Sequence, residues 1–187
     1  MKLVLPLPEH REQAIDYIEE FYRFGSEVNG SGSLDEFLAE STYEMWLEKL
    51  RCQMDIANLP KPRVPDLTYF CVREEDGRIV GMVNIRLALN DFLKNEGGHI
   101  GYSVRPTERR KGYGTQILSR ALGVCERMGI REVLVSCDRE NAASAGVIRN
   151  CGGVLQREFY SETFREIIQM YAIRLPDQGG DADGNSL

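Results

Sequence analysis

Residues 98–114 read Gly98-His99-Ile100-Gly101-Tyr102-Ser103-Val104-Arg105-Pro106-Thr107-Glu108-Arg109-Arg110-Lys111-Gly112-Tyr113-Gly114. From His99 to Val104 the residues alternate with the two-residue period of a strand, and Pro106 ends it by fixing its own φ and removing a backbone N–H. From Gly112 to Met128 the period changes: Ile117, Leu118, Ala121, Leu122, Cys125 and Met128 share one helical face. Between strand and helix, Arg105, Arg109, Arg110 and Lys111 crowd into seven residues. A helix start leaves backbone N–H groups without intrahelical partners and carries partial positive charge, so a glycine-lined, arginine-flanked start suits a pyrophosphate. The P-loop pattern fails here because Lys111 precedes Gly112. The dinucleotide fingerprint fails because Ile117 stands where its third glycine belongs.

Upstream, Ala14, Ile15, Ile18, Phe21 and Tyr22 give a helix over Glu9 to Phe24, stopped at Gly25. A loop rich in glycine and serine follows. Ser33 and Glu36 have capping-box spacing, which predicts a second helix from Ser33 to Cys52. Pro60, Pro62 and Pro65 then impose an extended connection. Leu67 to Arg73 and Arg78 to Leu89 read as an antiparallel hairpin turning at Glu75-Asp76-Gly77. Downstream, Glu132 to Cys137 is a valine-rich strand, so it and the strand at His99 flank a crossover helix and are expected to lie parallel. Asn141 to Cys151 reads as a short helix, and Val154 to Tyr160 with Arg165 to Ile173 as a last strand pair. After Pro176 only small and acidic residues remain, the composition of a flexible tail.

A chain of 187 residues holds one core, burying roughly 70% of the surface an unfolded chain exposes. A formal charge of −6 excludes general attraction to nucleic acid or an anionic membrane, which makes the local basic loop the more informative. Cys52, Cys71, Cys125, Cys137 and Cys151 are odd in number and widely spaced, as expected of reduced thiols rather than a zinc site. No stretch has the length of a signal-peptide core or a membrane span. These features predict a soluble, cytoplasmic protein that needs no metal.

The arrangement Arg109-x-x-Gly112-x-Gly114, following a strand that ends Val104-Arg105-Pro106, resembles the acetyl-CoA signature of the GNAT superfamily of N-acetyltransferases. The element order from Met1 to Leu175 is similar to that family's layout, and Gly98 to Pro106 looks like its signature strand. The resemblance implies an α+β fold with a mixed, mostly antiparallel sheet flanked by helices, and a splayed parallel strand pair that binds CoA. It implies a catalytic domain over residues 1–175 and an acidic tail over 176–187. It also implies that backbone amides from Arg109 through Thr115, including those of Gly112, Tyr113 and Gly114, cradle the CoA pyrophosphate while Arg109, Arg110 and Lys111 add charge. The amide of Val104 would hold the acetyl carbonyl, and Asn141 and Ser144 would flank the pantetheine arm.

The activity so implied is transfer of an acetyl group from acetyl-CoA to a primary amine of a small molecule or peptide by direct attack. Nucleic acid and membrane are not expected partners, and dimers are common in the family. Many members carry a proton-donating tyrosine where this chain has Ile148, which leaves a noncatalytic acyl-CoA binding or sensing module as the alternative. For proton handling the chain offers His99, Tyr102 and Ser144. Strand period places His99 on the face opposite Tyr102 and Val104, whereas Tyr102 carries a hydroxyl on the cofactor face. In this family acceptor specificity comes from the first two helices and the late strands; here the second helix offers Glu40, Tyr43, Glu44 and Glu48, which also suit a solvated helix face.

Overall fold

The computed structural model describes residues 1–54 and 59–176; the expected tail after Pro176 lies outside them. The chain runs β1 (Lys2–Val4), α1 (Arg11–Arg23), α2 (Leu34–Glu40), α3 (Tyr43–Gln53), β2 (Asp66–Val72) and β3 (Ile79–Arg86). It continues through β4 (Ile100–Val104), α4 (Tyr113–Arg127), β5 (Glu132–Asp138), α5 (Ala142–Asn150), β6 (Val154–Ser161) and β7 (Glu166–Arg174). Strands β1-β2-β3-β4 form one antiparallel sheet and β5-β7-β6 another.

The two sheets meet where β4 approaches β5. There His99 N donates to Leu134 O at 2.7 Å, and Leu134 N donates back to His99 Nδ1 at 2.9 Å. Apart from one bridge between Gly98 and Val135, no ladder joins the two strands among the described residues. The expected parallel pairing is not formed: the one bridge is antiparallel, and the strands part beyond His99.

Strand alternation distributes two cores. Cys71, Val83, Ile85 and Ile100 pack with Ile117, Leu118, Val133 and Ile148 on the α4 and α5 side. On the other side Phe70 and Met82 pack with Tyr17 and Phe21 of α1 and with Trp46 of α3. Trp46 donates its indole N–H to Gly32 O at 2.9 Å, which ties the core to the glycine-rich loop. Burial of such aromatic side chains contributes about 1.5–3 kcal/mol each.

Two further expectations are corrected. The helix read over Ser33 to Cys52 is two helices, because the Thr42 side chain accepts from Met45 N and starts α3 afresh. Ser33 does not cap α2 through its side chain: it lies at φ 64°, and the Ser31 hydroxyl instead accepts from Leu34 N and donates to Asp35. The hairpin expected from Leu67 onward is extended at its outer edge by strand β1, antiparallel to β2. Among the described residues no helix is long and apolar enough to cross a membrane.

Candidate active site

Because β4 and β5 part beyond His99, a cleft of about 720 Å³ opens between them, a size typical of small-molecule sites. One wall is the end of β4, with Tyr102, Ser103 and Val104, and the other is the start of α5, with Asn141, Ala143, Ser144 and Val147. Its base is the loop and first turn of α4: Arg109, Arg110, Gly112, Tyr113, Gly114 and Thr115. Phe21, Ser26, Glu27 and Asn29 close the remaining side.

Two left-handed residues shape the base, Arg110 at φ 62° and Gly112 at φ 79°. Alternating backbone of this kind turns successive N–H groups toward one point and forms an anion nest. From Arg110 through Thr115 no backbone N–H donates to a partner among the described residues. A β-carbon at Gly112 would meet nothing within 4 Å, so the space before the nest is open. Gly114 has a packing role as well, because a β-carbon there would lie 3.0 Å from Val147 on α5. The base thus has the donors, helix polarity and room that a pyrophosphate requires.

The basic cluster divides by position. Arg105 is only 1% exposed. Its Nη1 donates to Asp16 at 2.7 Å and Glu20 at 2.9 Å, and its Nε donates to Ile79 O at 2.8 Å. Glu20 also accepts from Thr107 N at 3.0 Å and Thr107 Oγ1 at 2.8 Å, fastening the loop to α1. Burial raises the Glu20 pKa, but the bonds from Thr107 and Arg105 outweigh it and hold the carboxyl below its ordinary range. Lys111, expected to add charge at the pyrophosphate, has its Nζ 2.8 Å from Glu108 and is not among the residues lining the cleft. Arg109 lies over the Phe21 ring at 5.6 Å and donates to Ser26 at 3.2 Å. Arg110 is exposed and lines the cleft.

Opposite the nest, Tyr102 Oη and Ser144 Oγ lie 3.2 Å apart across the parted strands. Burial pushes the Tyr102 phenol up to about 12. The Asn141 side chain accepts from Ser144 N at 3.0 Å, capping α5 and setting Ser144 against the cleft. His99 is not brought here. It is buried on Leu134 at the closed end of the splay, and burial followed by the charge of Arg86 lowers its pKa.

Of the acids considered for acceptor recognition, none lines the cleft. Glu44 pairs with Arg11, Glu48 with Arg51, and the buried Tyr43 donates to Leu7 O at 2.9 Å. The acid that lines the cleft is Glu27 in the loop after α1, with Asp138 at the end of β5 and Glu166 at the start of β7 outside the lining. Burial, then the like charges of Asp138 and Glu27, raise the Glu166 pKa. Sequence reading missed Phe21, Ser26, Glu27 and Asn29 because they reach the cleft only by tertiary packing. The one local sign of them is the run of glycines at Gly25, Gly30 and Gly32. Gly30 is required where it is, since a side chain there would collide with the backbone at Gly101 and Tyr102.

The fold has counterparts among known structures. An alanine acetyltransferase of a ribosomal protein from Vibrio fischeri is 16% identical, with 95% of this chain and 94% of that chain covered at a TM-score of 0.70. A spermidine N-acetyltransferase variant from Vibrio cholerae is 13% identical, with 93% and 95% covered and a TM-score of 0.59. A structure from Salmonella typhimurium described as an acetyltransferase with its cofactor acetyl-CoA is 16% identical, with 98% of both chains covered and a TM-score of 0.59. At these identities the likeness is one of fold. No curated protein matches the sequence. The family model described as acetyltransferase (GNAT) family matches residues 33–152, which span α2 through α5 and carry the nest, the parted strands and the Tyr102–Ser144 pair. The chain belongs to the acetyltransferase (GNAT) family.

Proposed function

We propose that this chain acetylates a primary amine of a small molecule or peptide, using acetyl-CoA, by direct attack of the amine on the thioester. The observation that carries the cofactor assignment is the run of unpartnered backbone N–H groups from Arg110 through Thr115 at the start of α4. Acetyl-CoA supplies an acetyl group already activated as a thioester. The nest and Arg110 hold its pyrophosphate, and the Asn141 to Val147 wall with Val104 orients the arm between the strands.

Two features bear on proton movement. Tyr102 keeps its proton at neutral pH, because its pKa lies near 12. A thiol titrates near 8.5, so full transfer from Tyr102 to a thiolate runs uphill by about three units. Tyr102 therefore acts as a hydrogen-bond donor to the developing negative charge, with Ser144 holding its hydroxyl in place. Net, an N–C bond forms, a C–S bond breaks, and the proton lost by the amine nitrogen ends on sulfur through water. Glu27, which lines the cleft and shares its negative field with Asp138 and Glu166, favours a cationic amine and can take up its proton.

Release of free thiol from acetyl-CoA, measured across a panel of amines, tests the reading; release with at least one amine is expected. A hydrogen bond to a charged group is worth about 1.5–3 kcal/mol. Tyr102→Phe is accordingly expected to lower kcat about 10- to 100-fold, leaving acetyl-CoA affinity close to wild type. One observation favours the noncatalytic alternative: Ile148, where many relatives carry a tyrosine, is fully buried in the core. That alternative predicts acetyl-CoA binding without thiol release for every amine.

A further inference from the structure

A second cavity, of about 350 Å³, lies between α2, α3 and the sheet face that carries Asp66, Asn84 and Arg86. It adjoins the active-site cleft at Asn29, which lines both. Most of its polar groups are already engaged. Asp66 accepts from Gln53 Nε2 at 2.8 Å and from Asn84 Nδ2 at 2.9 Å. Lys49 Nζ donates to Gly32 O at 2.7 Å, and Asp35 accepts from Ser31 at 2.6 Å.

Two of the remaining groups stand out among the described residues. Gln53 is 9% exposed, and its Oε1 is buried without a hydrogen-bond partner. Arg86 has five N–H donors, yet among the described residues its side chain makes one long bond, Nη1 to Gly97 O at 3.4 Å. Burial disfavours its charge, and Asp66 opposes that from beyond ion-pair distance. The guanidinium lies over Gly101, where a β-carbon would sit 3.3 Å from Nη2. The buried Gln53 acceptor is costly unless a ligand completes it, and the half-buried Arg86 fork has donors free to take one.

We propose that this chamber holds the far end of the acceptor, and that this end is a carboxylate next to an N–H or hydroxyl. The carboxylate completes Arg86 in the bidentate geometry that guanidinium favours, and the neighbouring donor completes Gln53 Oε1. The proposal rests on the acetyl-transfer reading above. Gly101 lies three residues before Val104, about 10 Å along an extended strand. The reacting amine and the carboxylate thus stand about 10 Å apart, the reach of a three-residue peptide. The charge of the lining agrees: Glu27 stands at the amine end and Arg86 at the acid end.

Triglycine and triglycinamide, equal in length and differing in the terminal charge, are the probes. In wild type, kcat/KM for triglycine is expected to exceed that for triglycinamide at least tenfold. In Arg86→Gln the ratio falls to near one while calorimetric acetyl-CoA affinity stays unchanged, and Gln53→Leu lowers kcat/KM for both probes severalfold. Equal turnover of the two probes by wild type overturns the proposal, as does a ratio that survives in a folded Arg86→Gln, or turnover confined to amines without a carboxylate such as spermidine. If acetyl-CoA binds but no amine releases thiol, the acetyl-transfer reading fails instead. Calorimetric titration of both peptides into the acetyl-CoA-loaded protein then decides the chamber: selective, Arg86-dependent binding of triglycine upholds it, and its absence overturns it.

Discussion

The cleft at the start of α4 takes its base and one wall from residues 102–115 and presents mainly backbone N–H groups. The chamber beneath α2 and α3 draws on the glycine-rich loop, both helices and two strands, and presents charged side chains. Recognition by backbone depends on the path of the chain, so a strand, a proline, two glycines and a helix in succession are enough to specify it. Recognition by side chains depends on which distant segments meet, and nothing local dictates that. The first cavity suits a cofactor shared across a family, and the second suits an acceptor particular to this protein.

Breaking the support of the cofactor side is expected to have the largest effect. Arg105→Ala leaves the buried Glu20 with only the longer guanidinium contact, to Arg78 at 3.4 Å, and loss of one member of a buried ion pair costs about 3–5 kcal/mol. Urea unfolding should show that loss, and acetyl-CoA affinity should fall with it because Thr107 is released from Glu20. A smaller contrast separates two neighbours in the loop. Arg110→Ala should weaken acetyl-CoA binding about fivefold and reduce its dependence on salt, as expected for a partly exposed charge contact. Lys111→Ala should change binding less than about twofold, because its ammonium is committed to Glu108. Equal losses in the two variants would contradict the division of the basic cluster.

The smallest expected effect is at the junction of the two sheets. The folded pKa of His99 is lowered, so the unfolded chain binds the proton more readily. The stability its neutral imidazole contributes is complete above the ordinary histidine value of about 6.5 and declines as pH falls below it. His99→Gln keeps an acceptor for Leu134 N but cannot titrate. Melting curves between pH 7 and pH 5 should therefore be flatter for the variant than for wild type.

Much of this was legible in the sequence because it was written in contiguous residues. The strand at Ile100–Val104, the loop and α4 follow from period, Pro106 and Gly112. Asn141 and Ser144, which the resemblance sets beside the pantetheine arm, line the cleft. The break at Ser41 and Thr42 was masked by an apolar pattern that runs on through it, and only the Thr42 cap reveals that the helix restarts. The role of Arg105 could not be read, since in sequence it is one more member of a basic cluster and only packing against α1 separates it from Arg110. Glu27, Asn29 and Arg86 had no signal, because their importance arises from segments that are far apart along the chain.

Calorimetric titration of acetyl-CoA into the wild-type protein and into Gly112→Glu, with folding of the variant checked by circular dichroism, tests the central assignment most directly. A glutamate at this position puts a carboxylate into the open space before the nest, on a left-handed backbone that suits glycine. The account predicts micromolar binding by wild type and loss of at least a hundredfold in a folded variant. Undiminished affinity in that variant, or no binding by wild type, would contradict it.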